Sequence, residues 1–512
     1  MALRTLNPPI SWSPHPSFVP GDRSLLRILH PWHDPWLPPL AGARIRRGAR
    51  AAAVAAAAVA GNGRFHGGGG EVGGGGEGAR RGVKKDVDLA TLGNLCVDIV
   101  LSVPSLPPAR PEERRAYMER LAASPPDKTS WEAGGNCNLA IAAARLGLHC
   151  VTLGHVGEEI YGNFLLDVLR DESVQFVGMN DDAEATSSSS SYETLLCWVL
   201  VDPFQRHGFC SVTDFSEEPA FNWLSKLSSQ VKVAIQQSKI IFCNGYAFDE
   251  LCPDVLVSAL ECAIDSGTTV FFDPGPRGKT LLHGTSGEQR ALDLFLRFSD
   301  VLLLTAEELP VLIELSFLFS TLSFHISNPK MFQAESLTGI TNPIRAGQEL
   351  ARKGARSQWV IIKMGSKGSV LITKSSISCA PAFKVNIVDT VGCGDSFTAA
   401  IAFGFLKGMP AVNTLALANA VGAATAMGCG AGRNVAHLDK VLELLRQSNL
   451  NEDDELWSEI INNSSSESRV NLLSKSPING CSDRLVRVPT RSVVSELLPM
   501  FEAAYERSLT QP

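Results

Sequence analysis

The stretch Asp389-Thr-Val-Gly-Cys-Gly-Asp-Ser-Phe397 sets a carboxylate beside bare backbone. The pattern predicts a strand over 381–388, a glycine turn, and an apolar helix, SFTAAIAFGFL, opened by Asp395. Gly392 and Gly394 have no side chains to shield the amides of 392–395, and a helix dipole stands behind them, which makes an anion site. A carboxylate there would repel a phosphate that was merely bound. It suits a group that deprotonates an attacking hydroxyl while the amides stabilise charge on a transferring phosphoryl group. The same residues also suit an Asp N-cap on a buried helix. The residues by themselves leave both readings open.

Such a turn works only if a scaffold aims it. Strand-length apolar runs recur at 87–92, 149–154, 239–243, 269–272, 299–304, 359–363 and 369–373. Helical patterns at 138–146, 163–170, 255–264, 290–297 and 344–353 fall between several of them. Continuous apolar runs such as KIIFC and TVFFD predict parallel strands covered on both faces. This alternation predicts an α/β fold, a doubly wound, mostly parallel sheet with ligands at the carboxyl ends of its strands. Further helices are expected at 395–407, 411–428 and 436–446. Runs 192–202 and 207–213, joined by DPFQRHG, predict a hairpin that serves as a small β lid.

Composition narrows the class. Of 512 residues, 45 % are hydrophobic and 19 % charged, enough apolar surface for a large core. The net charge of −7 argues against a nucleic-acid partner, which needs a basic face. No run of 18 apolar residues occurs, so no membrane span is expected. The twelve cysteines never fall in C-x-x-C spacing, which disfavours metal clusters and points to a reducing compartment.

The ends differ from the body. Residues 1–60 hold seven Arg, no Lys and two acids, Asp22 and Asp34, followed by eleven Gly within 61–78. An Arg-rich, acid-poor composition predicts a transit peptide over 1–85, with a chloroplast or other plastid as destination and a mitochondrion or the cytoplasm as alternatives. Residues 447–485 read as a linker and 491–507 as an amphipathic helix that docks back, leaving 86–446 as one large α/β domain.

Asp389–Ala402 resembles the second signature of the PfkB/ribokinase family of carbohydrate kinases, with Cys393 where a small residue is usual. Gly134, Gly135 and Asn138, followed by AIAAARLGL, resemble the first signature, which departs at Asn136-Cys137. Gly93-Asn-Leu-Cys-Val-Asp98, DPGPRG at 273–278 and KMGSKGSVL at 363–371 continue the likeness over about 87–440. The resemblance implies a ribokinase-like fold and a role for each matching residue. Asp395 would be the base, and Gly392, Cys393 and Gly394 the anion hole. Asp98 would hold substrate hydroxyls, with Gly134, Gly135 and Asn138 at the substrate-side turn; Asn138 would equally serve as a helix N-cap. Lys363, Gly365 and Asn419 would border the nucleotide, and Asn419 suits a core-capping role as well. Thr305-Ala-Glu-Glu308 stands where the family has Asn-x-x-Glu, so Glu308 would act on Mg²⁺ through water.

The expected activity is therefore an ATP- and Mg²⁺-dependent sugar kinase, with a monovalent cation such as K⁺ as a further requirement. A monosaccharide ranks ahead of a nucleoside as acceptor, and a homodimer through the lid is also expected. The lid is expected to draw on residues near 100–133 and 190–215, with an Arg-rich helix at 110–133. A non-catalytic organelle interaction protein on the same fold is the rival reading, and the presence of Asp98 and Asp395 counts against it. A nicotinamide oxidoreductase ranks lower, because no G-x-G-x-x-G follows the first strand. Residues 309–333, strongly apolar to Phe324, interrupt the helix expected after 299–304 and read as an insertion foreign to the working enzyme, with a dimerisation or membrane-docking element as the alternative.

Overall fold

In the computed structural model, residues 84–510 are described, apart from 109, 124–126, 180–192, 205, 307–342, 463–467 and 476–484. Residues 1–83 of the expected transit segment, Glu308 and the insertion at 309–333 lie outside the described residues.

The central sheet contains β1 (Val87–Leu92), β4 (Cys150–Gly154), β5 (Gln175–Gly178), β8 (Ser238–Asn244), β9 (Thr269–Asp273), β10 (Val301–Thr305), β11 (Trp359–Lys363), β12 (Ser369–Ile372), β13 (Ser376–Ala380), β14 (Arg469–Ser474) and β15 (Leu485–Pro489). Its order is β15-β14-β13-β12-β11-β10-β9-β8-β1-β4-β5, and only the β11–β12 and β12–β13 pairs are antiparallel. A second sheet joins β2 (Leu95–Ser102), β3 (Trp131–Gly135), β6 (Leu195–Val201) and β7 (His207–Ser211) in the order β3-β2-β6-β7. The β6–β7 hairpin, antiparallel from Val201↔His207 to Cys197↔Ser211, is the expected lid element.

Strand alternation explains why the sheet needs two cores. Phe271 and Leu303 enter one apolar cluster, whereas their neighbours Phe272 and Leu304 enter the other. Helices α2 (Asn136–Arg145), α9 (Cys393–Leu406), α10 (Ala411–Ala426) and α11 (Leu438–Gln447) supply the first cluster. Helices α4 (Ser229–Gln237), α5 (Pro253–Asp265), α7 (Ser286–Phe298) and α8 (Pro343–Lys353) supply the second. Burying one such Phe stabilises the fold by about 1.5–3 kcal/mol relative to exposure. Helix α7 starts where Thr285-x-x-Glu288 satisfies two otherwise orphaned amides, with Glu288 Oε2 accepting from Thr285 N at 2.6 Å. The remaining helices are α1 (Pro111–Ala122), α3 (Ile160–Asp171), α6 (Arg277–Leu281), α12 (Asp454–Asn462) and α13 (Thr490–Thr510).

Three expectations need correction. Residues 381–388 are not a strand but an extended loop with one isolated bridge, Phe383↔Leu450. Pro381 has no amide to donate, Lys384 N donates to Asn449 O and Val388 N to Ala426 O, so no ladder can form. Residues 447–485 are not a linker: α12 lies within them, and β14 extends the central sheet beside β13. Its Val470, Leu472 and Leu473 are buried, three apolar residues that the Arg, Asn and Ser of the strand and the surrounding acids conceal in an averaged composition. Helix α9 begins at Cys393 rather than at Asp395. The terminal helix α13 packs against α10 and α11, burying Val493, Leu497 and Phe501.

Candidate active site

Gly392 is the N-cap of α9 with φ +75°, a left-handed conformation that favours glycine. Cys393 N donates to Thr390 O at 3.3 Å, which removes one amide from the expected anion hole. The Gly394 and Asp395 amides lie in the first helical turn and have no intrahelical acceptor. Asp389 fixes the loop from below, accepting from Val391 N at 2.9 Å and Gly430 N at 2.6 Å. His207, at the start of the lid strand β7, reaches this carboxylate. Its Nε2 lies 2.6 Å from Asp389 Oδ1 in an orientation that makes no directed hydrogen bond.

Asp395 faces the cleft from the first turn of α9. Asn138 Nδ2 donates to its Oδ2 at 3.4 Å, while Asn138 Oδ1 accepts from Gly432 N at 2.7 Å, so the amide is held from both ends. Withdrawal from water pushes the Asp395 carboxyl up to about 7, Lys363 pulls it down, and the Asp273 charge adds to the rise. Lys363 Nζ itself donates to Asp273 Oδ2 at 2.5 Å, tying the ends of β11 and β9 together.

Asp98 is buried on β2, 5 % exposed, with Cys96 Sγ 3.4 Å from Oδ1. Burial raises its carboxyl to about 7 as well. The strand opposite leaves room for it, because Cys96 pairs with Gly134, and a Cβ on Gly134 would meet Asp98 Oδ1 at 2.1 Å. Gly135, at φ +58°, runs as close to Asn94 O. The departure at Asn136-Cys137 is structural. Asn136 Nδ2 donates to Gly93 O at 2.7 Å and its Oδ1 accepts from Asn244 Nδ2 at 2.8 Å, so it ties the turn after β1 to the end of β8.

Two cavities meet at this loop. One, of about 620 Å³, is lined by Asp98, Gly135, Asn138, Gly392 and Asp395. The other, of about 370 Å³, is lined by Lys363, Gly365, Phe383, Ile387, Cys393 and Asn419. Thr390 and Gly394 line both, so the glycine turn is the wall between them. Asn419 borders the second cavity but spends its polar atoms on the fold, accepting from Ser369 Oγ at 2.9 Å and donating to Ala380 O at 3.0 Å.

Residues 109–437 match the pfkB family carbohydrate kinase profile. The chain belongs to that family. It is a phosphotransferase that acts on a sugar hydroxyl group. It is 25 % identical over 337 residues to the 5-dehydro-2-deoxygluconokinase of Bacillus anthracis (strain CDC 684 / NRRL 3495), covering 65 % of this chain and 87 % of the relative. Its fold is similar to that of "a putative Ribokinase II" from E. coli, solved with ATP and Mg²⁺, with TM-score 0.50, 17 % identity, and 70 % of this chain and 99 % of that one covered.

In this kinase the structure brings Asp98, Gly135, Asn138 and Asp395 to one cavity and Lys363, Gly365, Cys393 and Asn419 to the other. Gly134 supports the first cavity from behind Asp98. Sequence reasoning gave no role to Asp273, Asp249, Arg277 or Asn451. The DPGPRG run holds Asp273 and Arg277, so their place was marked. Asp249 and Asn451 carried no signal, because only tertiary packing brings them to a cavity.

Proposed function

We propose that this kinase transfers the γ-phosphoryl group of ATP to a hydroxymethyl of a monosaccharide bound beside Asp98, with Asp395 as base. The observation that carries the reading is the shared wall. Asp395 stands on the larger cavity, Lys363 on the smaller, and Gly394 faces both. Asp395 takes the hydroxyl proton, the oxygen bonds to the γ-phosphorus, and the bond to the β-phosphate oxygen breaks, leaving ADP. The Gly394 and Asp395 amides and the helix dipole favour the charge that spreads over the phosphoryl oxygens. A base near pH 7 matches this task, since its unprotonated form is plentiful at neutral pH.

The donor set fits Mg²⁺ in a modest way. Among the described residues no three His, Cys, Asp or Glu side chains are arranged to hold a metal ion, and Asp273 is a single carboxylate close to Asp395. One or two carboxylates suit an ion that keeps most of its waters, and Asp273 supplies one of them. When bound, Mg²⁺ would supply neutralisation of the phosphate charge.

The test is phosphoryl transfer from radiolabelled ATP across a panel of sugars and nucleosides, comparing wild type with Asp395→Asn. Labelled sugar from wild type alone supports the reading. Label on nucleosides only would move the acceptor to the alternative class, and equal turnover by Asp395→Asn would overturn the role of the base.

A further inference from the structure

The larger cavity is lopsided in charge. Five carboxyl groups line it, those of Asp98, Asp214, Asp249, Glu250 and Asp395, against one cation, the Arg277 guanidinium, and neither lysine nor histidine is among its described lining residues. Two of the carboxyls are already committed to the fold. Glu250 Oε2 accepts from Asn94 N at 2.6 Å, and Asp214 faces Arg114 of α1 at 3.2 Å. The Arg-rich stretch singled out at 110–133 thus serves in part as a brace: Arg114 also donates to Phe209 O of the lid.

Arg277 is committed as well. Its Nε donates to Asp249 Oδ2 at 2.9 Å and its Nη2 to Asp249 Oδ1, a two-pronged pairing that uses the fork a sugar carboxylate or phosphate would need. The scaffold holds the two partners in place. A Cβ on Gly245 would meet Pro274 O at 2.1 Å and Arg277 Cβ at 2.9 Å, so the Gly245–Asp249 turn is pressed onto the loop that carries Arg277. Both residues line the cavity, so the pair faces the acceptor.

We propose that Asp249 is a specificity determinant: by occupying Arg277 it makes the acceptor cavity take uncharged polyhydroxyl compounds and reject those bearing a carboxylate or phosphate. This rests on the kinase reading above, in which the larger cavity holds the acceptor. An anion entering the cavity would face the carboxyl groups of Asp98 and Asp395, and the one guanidinium that lines it is already taken by Asp249. A carboxylate or phosphate left without a donor in the cavity is discriminated against strongly.

The test compares kcat/KM for neutral sugars with that for aldonic acids of the same carbon number, in the full-length enzyme. Wild type should phosphorylate neutral sugars and not the acids. Asp249→Asn releases Arg277 and should raise the acid-to-neutral ratio by about tenfold or more, the usual scale for a gained charged hydrogen bond. Asp249→Glu keeps a partner carboxylate and should keep the rejection. Asp249→Asn combined with Arg277→Met should lose the gain, which assigns it to the freed guanidinium. Wild type that prefers the acids, or an Asp249→Asn ratio that does not move, overturns the proposal and leaves the kinase reading standing. Should Asp249→Asn not fold, the wild-type preference decides. Wild type that labels no sugar and no acid overturns the kinase reading, and this proposal with it.

Discussion

Gly134 is a glycine because Asp98 lies where its side chain would be: a Cβ there would stand 2.1 Å from Oδ1 and 2.3 Å from Cγ of that carboxyl. The requirement is for space rather than for an unusual dihedral angle, since Gly134 is an ordinary strand residue. Gly134→Ala should therefore displace the Asp98 carboxyl. We expect the sugar KM to rise about tenfold or more while the ATP KM stays within about twofold, as for loss of a buried hydrogen-bonding partner. Steady-state kinetics with each substrate varied in turn checks this. A rise in ATP KM alone would place Asp98 on the wrong side of the shared wall.

Asp395→Asn should lower kcat by about 10² or more, the scale of general-base loss. The same change should stabilise the fold in a pH-dependent way. The folded carboxyl, raised to about 7, binds its proton more tightly than the unfolded one at 3.8, so stability falls as pH rises between these values. Asn removes that loss. The melting temperature of Asp395→Asn should exceed that of wild type at pH 8 and converge with it at low pH, and a constant difference would contradict the account.

Lys363 lowers the Asp395 carboxyl, whereas Asp273 raises it. Lys363→Met removes the first influence and frees Asp273 from its cation, so both changes act upward. The acidic limb of the kcat–pH profile, expected near 7 in wild type, should move to higher pH in the variant. A limb that stays in place or moves down would separate Lys363 from Asp395 electrostatically.

We propose plastid import for residues 1–85 on their arginine-rich, acid-poor composition. Fused ahead of a fluorescent reporter, they should carry it into plastids. Diffuse cytosolic fluorescence would refute this, and mitochondrial signal would select the alternative destination.

Strand-length apolar runs located β1, β4, β8, β9, β10, β11 and the antiparallel β12, because a strand covered on both faces is apolar along its whole length. Asp389–Phe397 announced the cleft because bare backbone and a carboxylate at a helix start form a local arrangement. What stayed hidden was non-local. Asp249 and Arg277 are 28 residues apart and meet through the contact of Gly245 with Pro274 O. Asn136 stood out only as a departure from the first signature, yet its amide is spent on Gly93, Leu92 and Asn244, a use that only the approach of three chain segments reveals. Residues 381–388 read as a strand, yet their amides go to Asn449 and Ala426 on two separate segments, which makes them a loop.

The segment that looked like a linker contributes to the smaller cavity. Asn451 lines it, donating from its backbone to Ala382 O at 2.7 Å and from its side chain to Ser366 O at 2.8 Å. Just beyond it the chain continues into α12 and the two strands that complete the central sheet. A molecule filling that cavity therefore also holds down the end of the chain. Each tenfold excess of such a ligand over its Kd adds about 1.4 kcal/mol to the folded state. Protease cutting after Asn451 then becomes a gauge of cavity occupancy, readable on a gel without any turnover.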